Sequence, residues 1–300
     1  MRRSRLFVIP VIVGAALLAA SCSGLLGGEP EKPPVTLAYV EWAHAVAITH
    51  VAEVILEDNG FDVTLSSSNA AEMWQAVADG SADAHFAAWL PTTHGSFYGT
   101  ETNGEYTDQV VKLSANYVDA RVGLVVPSYT NIDSLEDLDG AGAQFGEEIQ
   151  GIDPGAGLMS TTQDAIDNDV YGLGNWALLE GSGSDMTTAL GQAYDNQEDI
   201  VVTGWRPHYK FGKWDLTLLD DPENHFGTTE NIHTIVRTGL DEQNPGAYDF
   251  LDQFDWTALD MQDVMVDISE GDGPAEAART YVDANQTTID AQLPDTAYFE

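Results

Sequence analysis

Past Val35, apolar residues switch repeatedly between strand spacing and helix spacing, and this switching constrains the fold more than any other feature of the chain. Val35–Val40 is a short apolar run of strand length. Ile48, Val51, Ala52 and Ile55 fall at i, i+3, i+4 and i+7, which predicts an amphipathic helix over 44–58, stopped by Asn59-Gly60. Phe61, Val63 and Leu65 alternate as a half-buried strand. A second helix over 70–79 ends at Gly80, and 82–88 is the next strand. This strand–helix alternation predicts an α/β fold with a mostly parallel sheet flanked by helices.

A second unit of the same kind follows. Strands are expected at 123–126, 177–179 and 200–203, with helices at 160–168 and 185–197. Ser134-Leu-Glu-Asp137 reads as a capping box opening a short helix. Asp137, Asp139 and Gly140 suggest a calcium loop, but the register fails: position 1 would be Leu135 and position 12 Gly146. Helical patterns at 245–252, 257–268 and 274–291 close the chain. Two α/β units with a helical tail predict two lobes and a cleft between them.

Composition narrows the function. The chain has 49 acids and 11 bases, for a net charge of −38. Three of those bases, Arg2, Arg3 and Arg5, stand at the extreme N-terminus, so the body has few left for a phosphate-binding patch, and nucleic acid is excluded as a partner. Disorder is excluded too, because 43% of residues are apolar. Such a charge repels itself at low salt, whereas at molar salt the Debye length is only about 3 Å. The acid excess is therefore read as adaptation to a salty medium, the alternative being an acidic protein of no special habitat.

Residues 1–22 read as a targeting segment. A basic start precedes an apolar run from Leu6 to Ala20, shorter than the ~20 residues of a membrane span. The run ends Ala19-Ala20-Ser21-Cys22, which resembles a bacterial lipoprotein cleavage site with lipid added to Cys22, although Ala19 stands where Leu is usual. A plain secretory signal is the alternative. Cys22 is the only cysteine, so no disulfide or CxxC zinc site can form. Residues 23–34, rich in Gly and Pro, read as a tether. The expected location is extracytoplasmic, lipid-anchored to the cell membrane.

Enzyme signatures are missing from the sequence: no GxxxxGK[ST], HExxH, GxSxG or GxGxxG follows a strand. The seven His show no zinc-site spacing, and His85, in an apolar strand, reads as a core residue. No catalytic residue, metal or cofactor is expected. An exported hydrolase remains the reading from a different class.

Tryptophan is more informative. Trp42, Trp89 and Trp205 each stand at a strand-to-loop junction, where ligand-facing residues of α/β sheets lie. Trp74, Trp176, Trp214 and Trp256 fit ordinary packing. Convergent indoles form a box of negative π faces suited to a quaternary ammonium, which has no N–H to donate; each contact contributes about 0.5–2 kcal/mol when desolvated.

Around these residues the sequence resembles the substrate-binding proteins of glycine betaine ABC transporters, of the OpuAC type. The segments that carry the resemblance are LAYVEWAHAVAITH (37–50), AEMWQAVADGSADAHFAAWLPTTHGSFY (71–98), VGLVVPSYTNIDSLEDL (122–138), GIDPGAGLMS (151–160), VVTGWRPHYKF (201–211) and LDDPENHFGTTENIHTIVR (219–237). The resemblance implies a two-lobed periplasmic-binding-protein clamshell of type II with ligand in the interlobe cleft. It implies one lobe at 35–122 plus 246–300 and the other at 123–245, in direct rather than swapped chain order. It implies that Trp42, Trp89 and Trp205 form an aromatic prism around a trimethylammonium group. It further implies that His94 and the backbone amides of Gly157 and Leu158 hold the ligand carboxylate. The implied partners are glycine betaine or a related zwitterion, an ABC permease with its ATPase, and the membrane. Proline betaine, choline and carnitine stay open as ligands.

Overall fold

The structure, a computed structural model, describes residues 33–99, 104–291 and 293. The targeting segment 1–22, with Cys22, and nearly all of the tether lie outside the described residues. Among the described residues no helix is long and apolar enough to cross a membrane.

The first half of the chain runs β1 (Pro34–Tyr39), α1 (Ala43–Asp58), β2 (Asp62–Ser67), α2 (Ala70–Asp79) and β3 (Ala84–Leu90), then the 18-residue strand β4 (Val110–Pro127). The second half runs α3 (Gly142–Phe145), β5 (Glu148–Gln150), α4 (Gly157–Asp167), β6 (Ala177–Leu179), α5 (Gly183–Asn196), β7 (Val201–Arg206), α6 (Lys210–Lys213) and β8 (Leu216–Leu218). The chain then returns through β9 (Glu230–Arg237) and ends in α7 (Leu240–Gln243), α8 (Pro245–Gln253), α9 (Ala258–Glu270) and α10 (Pro274–Asp290).

Local chemistry explains the helix boundaries. The Asn69 side chain accepts from Glu72 N at 3.0 Å and starts α2, and Gly80 in the left-handed region (φ 78°) ends it. Ser182 and Asp185 form a reciprocal capping box at α5, so the Gly-rich run 181–185 is a helix start. The box at Ser134 is also present and opens a single 3₁₀ turn, Leu135–Leu138.

The strand order is β2-β1-β3-β9-β4-β7-β5-β6, with β8 also on β4. The outer pairs β1–β2, β1–β3, β5–β6 and β5–β7 are parallel, as the alternation predicts. The centre is not: β9 runs antiparallel to β3 and β4, and β4 runs antiparallel to β7 and β8. The sheet is therefore mixed rather than mostly parallel. The reason is β4, which pairs with β9 over Val110–Ala120 and with β7 over Arg121–Val125, so one strand serves two half-sheets. β9 falls inside the stretch 123–245, yet its hydrogen bonds place it in the first half-sheet, between β3 and β4.

Helices α9 and α10 pack on α1, and α8 packs on β4 and β9, so the C-terminal helices cover the first half-sheet. Leu37, Ile48, Phe86, Phe250 and Met261 form the apolar core between them. A second apolar cluster runs from Trp74 and Trp89 through Leu124 and Ile149 to Leu190 and Trp205, continuous across both half-sheets.

Candidate ligand-binding site

Four segments converge where the half-sheets meet. Trp42 is the N-cap residue of α1, just past β1. Trp89 and Trp205 are the next-to-last residues of β3 and β7, inside the strands rather than after them. Gly157 and Leu158 open α4. Together with His94 they line one cavity, which His44 and Thr93 also line. The structure thus brings together all six of the cleft residues singled out in the sequence. Trp42, Trp89, Trp205 and His94 are each at most 5% exposed.

The rings are fixed by one another. Trp42 stacks on His94 (centroids 5.7 Å apart, planes 17° apart) and on His44 (6.1 Å, 18°). His44 stands edge-on to Trp89 at 5.0 Å, and Trp89 Nε1 donates to His44 Nε2 at 2.9 Å. Trp42 Nε1 donates to Asp153 Oδ2 at 2.7 Å, a bond between the two half-sheets. Trp205 meets His208 edge-on at 4.7 Å, and the Lys210 ammonium nitrogen lies 4.5 Å from its ring centroid. Trp74 supports the site from behind, perpendicular to His94 at 6.2 Å, the packing role read for it in the sequence.

Burial sets the protonation of the two imidazoles. It lowers the pKa of His94 to about 4, so His94 is neutral at pH 7. Burial, with a smaller contribution from His94, lowers that of His44 to about 3. The backbone N–H of Trp89 donates to His94 Nδ1 at 3.1 Å, which assigns the proton of the neutral ring to Nε2. His94 is thus a hydrogen-bond donor through Nε2. By the same reasoning His44 carries its proton on Nδ1, which is buried and has no partner.

The start of α4 supplies further donors. The first N–H groups of a helix have no intrahelical acceptor and stand at the positive end of its dipole. α2, α5 and α9 are capped by Asn69, Ser182 and Thr257, whereas α4, after Ala156, and α1, after Trp42, both begin with no side-chain cap and no acid in the first turn. An uncapped helix start that lines a cavity is suited to an anion.

The loop after β3 is held from β9. Glu230, 1% exposed, accepts from Thr92 N at 2.6 Å, from Thr93 N at 2.8 Å and from the Thr93 hydroxyl. His44, Thr93, Asp153 and Glu230 escape the sequence reading. The available signals were slight: His44 lies two residues past Trp42, and Asp153 opens the DPG turn. Among the described residues no group of three or more His, Cys, Asp or Glu is placed to hold a metal.

The cavity is thus lined by three indoles, by neutral imidazoles and by the uncapped start of α4. The family model for the substrate-binding domain of ABC-type glycine betaine transport systems matches residues 33–284. The chain belongs to this family. Its members are transport proteins. The glycine betaine/carnitine transport binding protein GbuC of Listeria monocytogenes is 48% identical over 157 residues, which cover 52% of this chain and 51% of GbuC. The match thus spans about half the length of that curated relative. The crystal structure of lactococcal OpuAC in its closed-liganded conformation with glycine betaine superposes with a TM-score of 0.82 at 42% identity, covering 88% of this chain and 100% of that one. The glycine/betaine/L-proline-binding protein ProX of Borrelia burgdorferi gives 0.82 at 32% identity, covering 89% and 100%. The fold is accordingly the two-lobed binding-protein clamshell of this family.

Proposed function

We propose that the chain is the substrate-binding component of an ABC importer, capturing glycine betaine between its lobes and delivering it to a membrane permease driven by an ATPase. The single observation that carries this reading is one cavity lined both by three indoles and by an uncapped helix start, groups that suit the quaternary head and the carboxylate of a zwitterion. Trp42, Trp89 and Trp205 face the trimethylammonium group, while His94 Nε2 and the amides of Gly157 and Leu158 take the carboxylate. The lobes divide along β4, with β9 and the C-terminal helices on the side of Trp42, Trp89 and His94. Ligand that bridges both lobes favours the closed state, because closure completes the cage.

The protein is exported and held at the membrane by lipid on Cys22. Replacement of Cys22 by Ser should abolish incorporation of a fatty-acid label. Titration calorimetry with glycine betaine tests the binding reading. Carnitine and proline betaine fit the same logic, and the Listeria relative is named for carnitine as well as glycine betaine. The carboxylate-binding groups argue against choline, which has no carboxylate.

A further inference from the structure

Asp153 belongs to the turn between β5 and α4, yet its Oδ2 accepts the indole N–H of Trp42 from the other half-sheet at 2.7 Å. Its Oδ1 is buried and has no hydrogen-bond partner. Among the described residues no Lys, Arg or His forms an ion pair with it. A carboxylate oxygen left in that state is unfavourable unless positive charge stands nearby. Ile152 on one side of Asp153 and Ala156 and Gly157 on the other line the cavity, and so does Trp42 itself.

Two effects follow. An indole whose N–H donates to a carboxylate is polarised toward a more negative ring face. The carboxylate, at the N–H edge of the indole, also attracts directly a cation held against that ring. A quaternary ammonium has no N–H and cannot bond Oδ1, so the attraction acts at a distance and asks only for charge.

Resting on the quaternary-ammonium reading above, we propose that Asp153 is the charge-selecting residue of the site, making the cavity prefer a cationic head group over a neutral group of the same shape. Because Asp153 and Trp42 come from opposite half-sheets, the preference is complete only when the cleft is closed.

The test compares glycine betaine with 3,3-dimethylbutanoate, which keeps the carboxylate and replaces trimethylammonium by an uncharged tert-butyl group. Both are titrated calorimetrically into one preparation each of the wild type, Asp153→Asn and Asp153→Ala. Loss of folded protein then changes the apparent stoichiometry and leaves the affinity ratio intact. Asn keeps an oxygen for the Trp42 N–H and removes the charge. In Asp153→Asn the expected result is a drop of about tenfold or more in glycine betaine affinity, with the tert-butyl ligand within about twofold of wild type. Asp153→Ala, which loses the bond as well, should weaken both ligands. A betaine-to-isostere ratio in Asp153→Asn equal to that of the wild type would overturn the proposal and leave Asp153 a closure bond only. A wild type that binds neither ligand would instead overturn the transport reading, and this proposal with it.

Discussion

Gly157 and Thr93 meet across the half-sheets so closely that no side chain fits between them. A Cβ on Gly157 would stand 2.1 Å from the Thr93 carbonyl oxygen and 2.9 Å from Thr93 Cγ2. The backbone of Gly157 is helical, so glycine is required here for space and not for its dihedral freedom. Gly157→Ala should therefore leave each half-sheet folded and hold the cleft apart. Overpacking of this kind costs about 1–3 kcal/mol, or roughly five- to 150-fold in affinity. Calorimetry with glycine betaine, beside a melt of the free protein, separates this loss of closure from unfolding.

The loop that presents Thr93 and His94 depends on Glu230. In Glu230→Ala two backbone N–H groups, of Thr92 and Thr93, lose their acceptor. Leaving a buried donor unsatisfied costs about 1–3 kcal/mol. Urea unfolding should show a loss of that order for Glu230→Ala and a smaller one for Glu230→Gln, which keeps one oxygen. Ligand affinity should fall in the same order, because His94 is on that loop.

Much of the fold and site was legible in the sequence where the physics is local. Helix α2 falls at the spacing-derived bounds 70–79, because Asn69 and Gly80 are unambiguous start and stop residues. Trp42, Trp89 and Trp205 sit at strand ends and a helix start, positions that short-range patterns reveal, whereas His94, in the turn after β3, and Gly157 and Leu158 were legible only through the family resemblance. β4 was legible only at its C-terminal end. Its first part reads Val-Val-Lys-Leu-Ser-Ala-Asn-Tyr, and register shifts against β9 between Lys112 and Ala120 break the period-two alternation. β9 and its Glu230 were missed for a related reason: their partners lie more than a hundred residues away, on β3 and β4. Asp153 escaped notice because its partner Trp42 belongs to the other half-sheet, which no spacing rule connects to it.

Two pH windows follow from buried bases. Burial lowers His94 to about 4 and His44 and His85 to about 3, against about 6.5 when unfolded. The unfolded chain then binds more protons between those values, so the contribution of these groups falls as pH drops from about 6.5 toward 3. Lys210, fully buried with its ammonium nitrogen 3.5 Å from Thr203 O, is lowered to about 7 by burial. Its contribution rises with pH from about 7 to the ordinary lysine value near ~10.4, and is constant below 7. Melting temperature against pH should show both slopes, and Lys210→Met should flatten the alkaline one and raise stability at neutral pH.

The net charge of −38 predicts a salt dependence. Self-repulsion of a surface this acidic is screened as the Debye length falls from about 10 Å at 0.1 M to 3 Å at 1 M. The melting temperature should rise from low to molar NaCl. A flat profile would contradict adaptation to salt and leave the binding site untouched.

We propose that three indoles from two half-sheets form one cage for a quaternary ammonium zwitterion. The most direct test is titration calorimetry of glycine betaine into the wild type and Trp89→Ala, with circular dichroism to confirm that the variant is folded. Saturable one-site binding should appear in the wild type, and the folded variant should weaken it by about a hundredfold, as loss of one desolvated cation–π wall and its packing requires. Absence of heat with glycine betaine and its relatives, or binding unchanged in folded Trp89→Ala, would contradict it.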